Sequence, residues 1–320
     1  MKKFTAVLCL LALCLSLAAC GSAAPANDKY VVGICQLVQH DALDAATKGF
    51  QDALTEALGD KVSFEVQNAS GDSAVCAVIC NQFVSDEVDL IMANATPALQ
   101  AAVSAAPKDI PILGTSVTDY GTALGIANWS GASGSNISGT SDLAPLDGQA
   151  EILKEMFPDA RNVGIVFCSG EANSRFQADT ITPMLEALGF SVSEFTFADS
   201  NDVANVVANA CGECDVLYIP TDNVAASCTE AINNVALNAG VPIVCGEENL
   251  CKGCGVATLS ISYYDLGRAT GEMAVEILTK GADISTMEVR FAPSFDKKFN
   301  ASLCEALGIT PPAGYVAIGD

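Results

Sequence analysis

From Tyr30 onward, short uninterrupted apolar runs alternate with stretches whose apolar residues recur at helical spacing. The runs at 30–35, 62–66, 89–93 and 110–114 predict strands, and the stretches at 41–58, 73–84 and 97–106 predict helices. A strand with no polar face must be covered on both sides. The pattern therefore points to parallel βαβ units with helices on both faces of a sheet. It then restarts, with strands at 162–167, 191–197, 215–220 and 241–245 and helices at 174–188, 202–211 and 224–239. The halves resemble each other locally. Asp89-Leu90-Ile91 ahead of Thr96-Pro97 parallels Asp215-Val216-Leu217 ahead of Thr221-Asp222. Pro111-Ile112-Leu113-Gly114 likewise parallels Pro242-Ile243-Val244-Cys245-Gly246.

The fold class that follows is α/β: two doubly wound parallel-sheet lobes. The Gly-, Ser- and Asn-rich segment 122–145 reads as strand, loop and first crossover. A tail of strand (256–261), helix (265–280), strand (288–291) and helix (296–307) fits a chain passing back between lobes, for about three hinge crossings. The expected first lobe is 30–141 plus about 262–281, and the second is 142–261 plus about 282–320. In open parallel sheets ligands bind at the carboxyl ends of the strands. Two such edges facing each other make a cleft.

The amino-terminal segment adds a location. Lys2 and Lys3 precede an apolar run from Phe4 to Leu17, shorter than the roughly 20 residues of a membrane span. Leu17-Ala18-Ala19-Cys20 closes it and resembles the bacterial lipobox, in which the cysteine thiol is acylated. Residues 1–20 are thus expected to be a lipoprotein signal, with 21–29 a flexible tether. Diacylation of Cys20 would anchor the protein durably. The net charge of -23 argues against nucleic acid or an anionic lipid surface as partner.

Fourteen cysteines are many for an exported protein, and many sit in core-like runs, such as Cys35, Cys168 and Cys245, where they act as small hydrophobes. Cys211-Gly212-Glu213-Cys214 and Cys251-Lys252-Gly253-Cys254 have a spacing that zinc sites use. They flank opposite ends of a sheet, so local disulfides or free thiols are expected and no metal site. His40 is the only histidine, expected at a helix start or cleft rim. No nucleophile elbow, phosphate loop or histidine-dependent triad is present, so nothing supports an enzyme or a cofactor.

A set of short motifs in order carries a family resemblance. They are Gly33-Ile34-Cys35-Gln36, His40-Asp41-Ala42-Leu43-Asp44, Asn68-Ala69-Ser70-Gly71-Asp72, Ala95-Thr96-Pro97-Ala98 and Thr115-Ser116-Val117-Thr118-Asp119 in the first half. Glu171-Ala172-Asn173-Ser174, Pro220-Thr221-Asp222-Asn223, Tyr263-Tyr264-Asp265-Leu266-Gly267 and Gly308-Ile309-Thr310-Pro311-Pro312 follow. Together they resemble the substrate-binding lipoproteins of ABC transporters with the type I periplasmic-binding fold, a group that includes tryptophan and tyrosine binders. The resemblance implies a monomer that captures a small molecule, favouring an aromatic amino acid, and delivers it to permease subunits. A sugar or nucleoside ligand, a sensory role, or a surface enzyme or adhesin stand as alternatives.

Candidate ligand contacts follow from strand ends and from the resemblance. Gln36 ends a strand whose loop leads to a helix N-terminus, where free N–H groups suit a carboxylate. Thr96 and Ser174 stand at strand-to-helix junctions, either as caps or as donors to ligand, and Ser116 and Asn173 have similar standing. Asp222 and Glu247 follow second-lobe strands and either pair with an ammonium group or are solvated loop acids. The resemblance adds Leu43, Asp44, Ala95, Asn223 and Tyr264. Trp129, Tyr263 and Tyr264 are aromatics near crossings, suited to stacking on a ligand or to hinge packing.

Overall fold

The computed structural model describes residues 29–319. The lipobox, Cys20 and nearly all of the expected tether lie outside the described residues. The first half runs β1 (Tyr30–Gln36), α1 (Asp41–Leu58), β2 (Val62–Asn68), α2 (Ser73–Ser85), β3 (Leu90–Asn94), α3 (Thr96–Ala105), β4 (Ile112–Val117), α4 (Tyr120–Leu124) and β5 (Ile137–Ser141). The second half runs α5 (Leu146–Met156), β6 (Asn162–Cys168), α6 (Ala172–Ala187), β7 (Ser191–Phe197), α7 (Val203–Glu213), β8 (Val216–Ile219), α8 (Asn223–Ser227), α9 (Thr229–Ala239), β9 (Ile243–Cys245), α10 (Glu248–Cys254) and β10 (Ala257–Ser260). A tail follows: α11 (Tyr263–Lys280), β11 (Arg290–Phe291), β12 (Asp296–Phe299), α12 (Ala301–Leu307) and β13 (Val316–Ala317).

The strands form two sheets, ordered β2-β1-β3-β4-β5-β11 and β7-β6-β8-β9-β10-β12-β13. The five leading strands have the same order in each, so the repeat legible in the sequence is a repeat of topology. Pairing is parallel apart from β10 with β12. In both lobes the order reverses beside the first strand of the set. Carboxyl-end crevices at such reversals are where doubly wound folds bind ligands.

Continuous burial along β1, β3, β4, β6 and β8 agrees with helices on both faces. Two apolar clusters fill the first lobe, two the second, and a smaller one built on Ala42, Ala46, Ile261, Tyr263 and Leu266 sits at the hinge. The helix pair α1 and α11 fixes the cleft side of the first lobe. A Cβ on Gly267 would lie 2.0 Å from the Ala46 carbonyl oxygen, and one on Gly49 2.1 Å from that of Tyr264. Only glycine lets the two backbones approach so closely.

Three expectations are corrected by the structure. Residues 282–291 belong with the first lobe, because β11 pairs with β5 and Ser138 Oγ donates to the Met287 carbonyl. The crossings accordingly fall at 142–145, 261–262 and 292–295. The last helix does not begin at Asp296: Asp296–Phe299 is a strand paired with β10, and Asn300 caps the helix by accepting from Leu303 N. The helix expected over 224–239 is interrupted at Cys228, whose backbone leaves the helical region.

Candidate functional site

The carboxyl ends of both sheets face each other across a small cavity, about 10 Å³ in volume. Its walls include His40, Leu43, Ser116, Asp142, Asn173, Asp222, Asn223, Glu247 and Tyr263. The lobes are close together. His40 Nε2 stands 3.5 Å from Asn223 Oδ1 across the cleft, and α4 comes against α6.

On the first-lobe side, Ser116 sits in a register irregularity between β4 and β5, with a φ of 54°. A bulge of this kind re-aims a side chain, and strain at a non-glycine residue in the left-handed region often accompanies a site. Ser116 Oγ is buried without a hydrogen-bond partner. His40 occupies the N-cap position of α1, yet its ring makes no capping bond and reaches towards the second lobe. Burial holds its pKa below the usual imidazole value.

The second-lobe side is a network of carboxylates. Asp222 caps α8 by accepting from Ala225 N at 2.8 Å, and also accepts from Cys168 N at 2.6 Å and Ser174 Oγ at 2.8 Å. Burial, with Glu171 nearby, pushes its pKa up to about 7. Glu171 accepts from Asn173 Nδ2, Asn223 Nδ2 and the backbone N–H groups of Asn223 and Val224. Glu247 caps α10 through Asn249 N and Leu250 N, and burial raises its pKa to about 7.

Asp142 differs from these three. It begins the first crossing, and its Oδ2 accepts from the Tyr263 hydroxyl at 2.8 Å, tying the first crossing to the start of α11 after the second. Thr118 lies near enough to lower its pKa, but nothing meets hydrogen-bond geometry at Oδ1, and burial raises the pKa overall. Asn173 Oδ1 is also buried and unpartnered. His40 Nδ1, Ser116 Oγ, Asp142 Oδ1 and Asn173 Oδ1 are therefore four unsatisfied polar atoms on residues lining one cavity. Buried polar groups are seldom left without partners. Ordered water or a polar ligand entering the cavity would supply what the protein does not.

Of the residues singled out in the sequence, Leu43, Ser116, Asn173, Asp222, Asn223 and Glu247 line this cavity. Others lie behind it. Gln36 donates to Asp44 Oδ1 at 2.6 Å and accepts from Thr47 Oγ1, so both Gln36 and Asp44 help seat α1 on β1. Ser174 orients Asp222. Ala95, at a φ of 92°, and Thr96, whose Oγ1 is unpartnered, are buried at the start of α3 but do not line the cavity. Tyr264 is a correction: it turns away from the cleft, donating to Asp52 Oδ2 with Lys48 over its ring. Its neighbour Tyr263 enters the site instead. Trp129 stacks on Tyr120 with ring centroids 5.9 Å apart and belongs to first-lobe packing. The cysteines of both C-x-x-C pairs are free thiols, and all but Cys211 are buried.

A fold of two like-ordered α/β lobes around a polar, closable cavity defines a solute-binding protein. The chain belongs to the ABC transporter substrate-binding protein family, which it matches over residues 31–315. It is 36% identical over 279 residues to a tyrosine-binding protein of Clostridioides difficile, covering 86% of this chain and 80% of that one. Among solved structures, it is similar to an ABC domain in complex with L-Trp from Streptococcus pneumonia, at 30% identity and a TM-score of 0.85 over 91% of this chain and 100% of that one. It is also similar to the ligand-free, open structure of a substrate-binding protein with adhesive properties from Clostridium difficile, at 37% identity, 91% and 100% coverage, and a TM-score of 0.68. The more similar sequence is the poorer superposition, and that structure is an open, ligand-free one. Members of this family are the non-catalytic, extracytoplasmic, small-molecule-binding components of ABC transporters and work with a permease. Among the described residues no helix is long and apolar enough to cross a membrane.

Proposed function

We propose that the protein captures an aromatic L-amino acid in the interlobe cavity, as a monomer tethered to the outer face of the cell membrane by lipid on Cys20. The observation that carries this reading is the set of unsatisfied polar atoms drawn from both lobes around one cavity. Acceptors on Asp142 and Asn173 suit an ammonium group, and the Ser116 hydroxyl suits a carboxylate. The tyrosine-binding relative and the L-Trp complex support an aromatic side chain. A ligand that touches both lobes favours the closed form by its differential affinity, and the closed form is what a permease can distinguish from the open one.

The test is a thermal-shift panel of amino acids, sugars and nucleosides. L-Tyrosine or L-tryptophan at 100 times its Kd stabilises the protein by about 2.7 kcal/mol. Stabilisation by sugars or nucleosides alone contradicts the reading. In the same preparations wild type partitions with membranes and Cys20→Ala into the soluble fraction; a membrane-bound Cys20→Ala variant rules out the anchor.

A further inference from the structure

Direct polar contact between the lobes is sparse. Among the described residues, His40 Nε2 and Asn223 Oδ1, 3.5 Å apart, are the only side-chain atoms within hydrogen-bond distance that join the lobes outside the hinge. Both ends of this contact are prepared for it. Asn223 is held by Glu171, to whose Oε2 it donates from Nδ2 at 2.6 Å and from its backbone N–H at 3.1 Å. Nitrogen on the carboxylate leaves Oδ1 facing the first lobe as an acceptor. An acceptor there needs a donor on His40, which assigns the ring proton to Nε2 and leaves Nδ1 without one. The unpartnered, buried Nδ1 and the lowered pKa of the ring agree with that neutral tautomer. His40 also stands at an N-cap position, where a side chain ordinarily accepts from the free N–H groups of its helix, yet its ring makes no such bond. The ring is therefore available to the other lobe.

The pair also partitions space. His40 and Asn223 both line the cavity. His40 in addition lines an outer groove of about 430 Å³ beside Ser227 and Lys252, and Asn223 lines another of about 540 Å³ beside Gly71 and Ser200. The contact thus stands in the wall between the cavity and both grooves. Resting on the amino-acid reading for its ligand, we propose that His40 and Asn223 form a latch, made by the protein alone, that seals the closed cleft and slows ligand release. The latch exists only with the lobes together, so it favours the closed form over the open one. It does so whatever side chain the ligand carries, and therefore lengthens the residence of every ligand by the same factor. At 3.5 Å the bond is long and neutral, which limits that factor to a modest one and lets the cleft reopen for delivery.

The experiment is stopped-flow association and dissociation of L-tyrosine and L-tryptophan on the full-length protein, His40→Phe, Asn223→Leu, their double variant and His40→Gln. Dissociation from each of the first two variants is expected to be about three- to tenfold faster than from wild type, equally for both amino acids, with association within about twofold. The double variant is expected to be no faster than the faster single one, because one contact is lost once. His40→Gln, whose amide N–H can take the place of Nε2–H, is expected to restore wild-type rates. Additive effects in the double variant, or an effect confined to one amino acid, mean that each residue touches the ligand separately and overturn the latch with the amino-acid reading intact. Unchanged dissociation in both single variants also overturns it. Circular dichroism checks folding; if one single variant does not fold, the other and His40→Gln carry the test. Wild type that binds no amino acid removes the amino-acid reading and the latch together.

Discussion

At the scale of single residues, the site depends on which carboxylates the protein satisfies itself. Glu247 is the clearest case for a solution test. Its pKa of about 7 stands above the ordinary carboxylate value of 4.5, with burial the largest cause and Asp142 and Glu248 adding to it. Between those two values the folded protein binds more protons than the unfolded chain. The stability associated with Glu247 is therefore full below about pH 4.5 and is lost as pH rises through 7, a change on the order of 3 kcal/mol. Asp222 acts in the same direction, and buried His40 in the opposite one, since its lowered pKa gives stability that is lost as pH falls. Comparing wild type with Glu247→Gln cancels both. Urea unfolding of the two between pH 5 and 8 is expected to show wild type losing stability relative to the variant as pH rises; parallel curves contradict a raised Glu247 pKa. Strand ends made Asp222 and Glu247 legible in the sequence, because each follows an apolar run directly. Asp142 was not legible, since it lies in a Gly- and Ser-rich stretch whose only readable property was that the chain crosses there.

Elements set the frame on which those residues meet. The α1–α11 contact positions both His40 at the start of one helix and Tyr263 at the start of the other. Gly267→Ala would put a methyl group 2.0 Å from the Ala46 carbonyl oxygen, a contact that only helix displacement relieves. Overpacking of this kind costs about 1–3 kcal/mol. Thermal unfolding is expected to show a lower Tm, and binding should weaken as Tyr263 moves; an unchanged Tm would mean that the helices do not pack this tightly in solution. The same helix explains why the sequence does not separate Tyr263 from Tyr264. Adjacent helical residues point about 100° apart, and the motif Tyr263-Tyr264 does not say which one faces inward. The buried stripe Tyr263, Leu266, Gly267, Thr270, Gly271, Ala274 does, and its spacing was there to be read. Strand β12 is hidden for a different reason: Phe295-Asp296-Lys297-Lys298-Phe299 is too short and charged to signal a strand by hydropathy, and its pairing with β10 and β13 is a tertiary matter.

For the whole molecule, the two-lobed plan was legible because buried parallel strands are continuous apolar runs, and a repeat of such runs has few other foldings. What hydropathy does not encode is lobe membership in the tail. Residues 282–291 return to the first sheet through a two-residue pairing with β5, too brief for a pattern. That return matters, since it makes the third crossing 292–295 and lets Ala292 and Phe295 pack on the hinge cluster beside Ile261 and Tyr263. Three crossings, one cluster and one hydrogen bond from Tyr263 to Asp142 then form a single joint beneath the cavity. The proposed function requires that cavity to be the place where an amino acid is held. The most direct measurement is a crystal structure of the protein grown with L-tyrosine or L-tryptophan. The predicted result is ligand density between the lobes, the ammonium on Asp142 and Asn173 and the carboxylate near Ser116. A saturated crystal with the ligand outside the cleft, or with the ammonium turned away from Asp142, would contradict it.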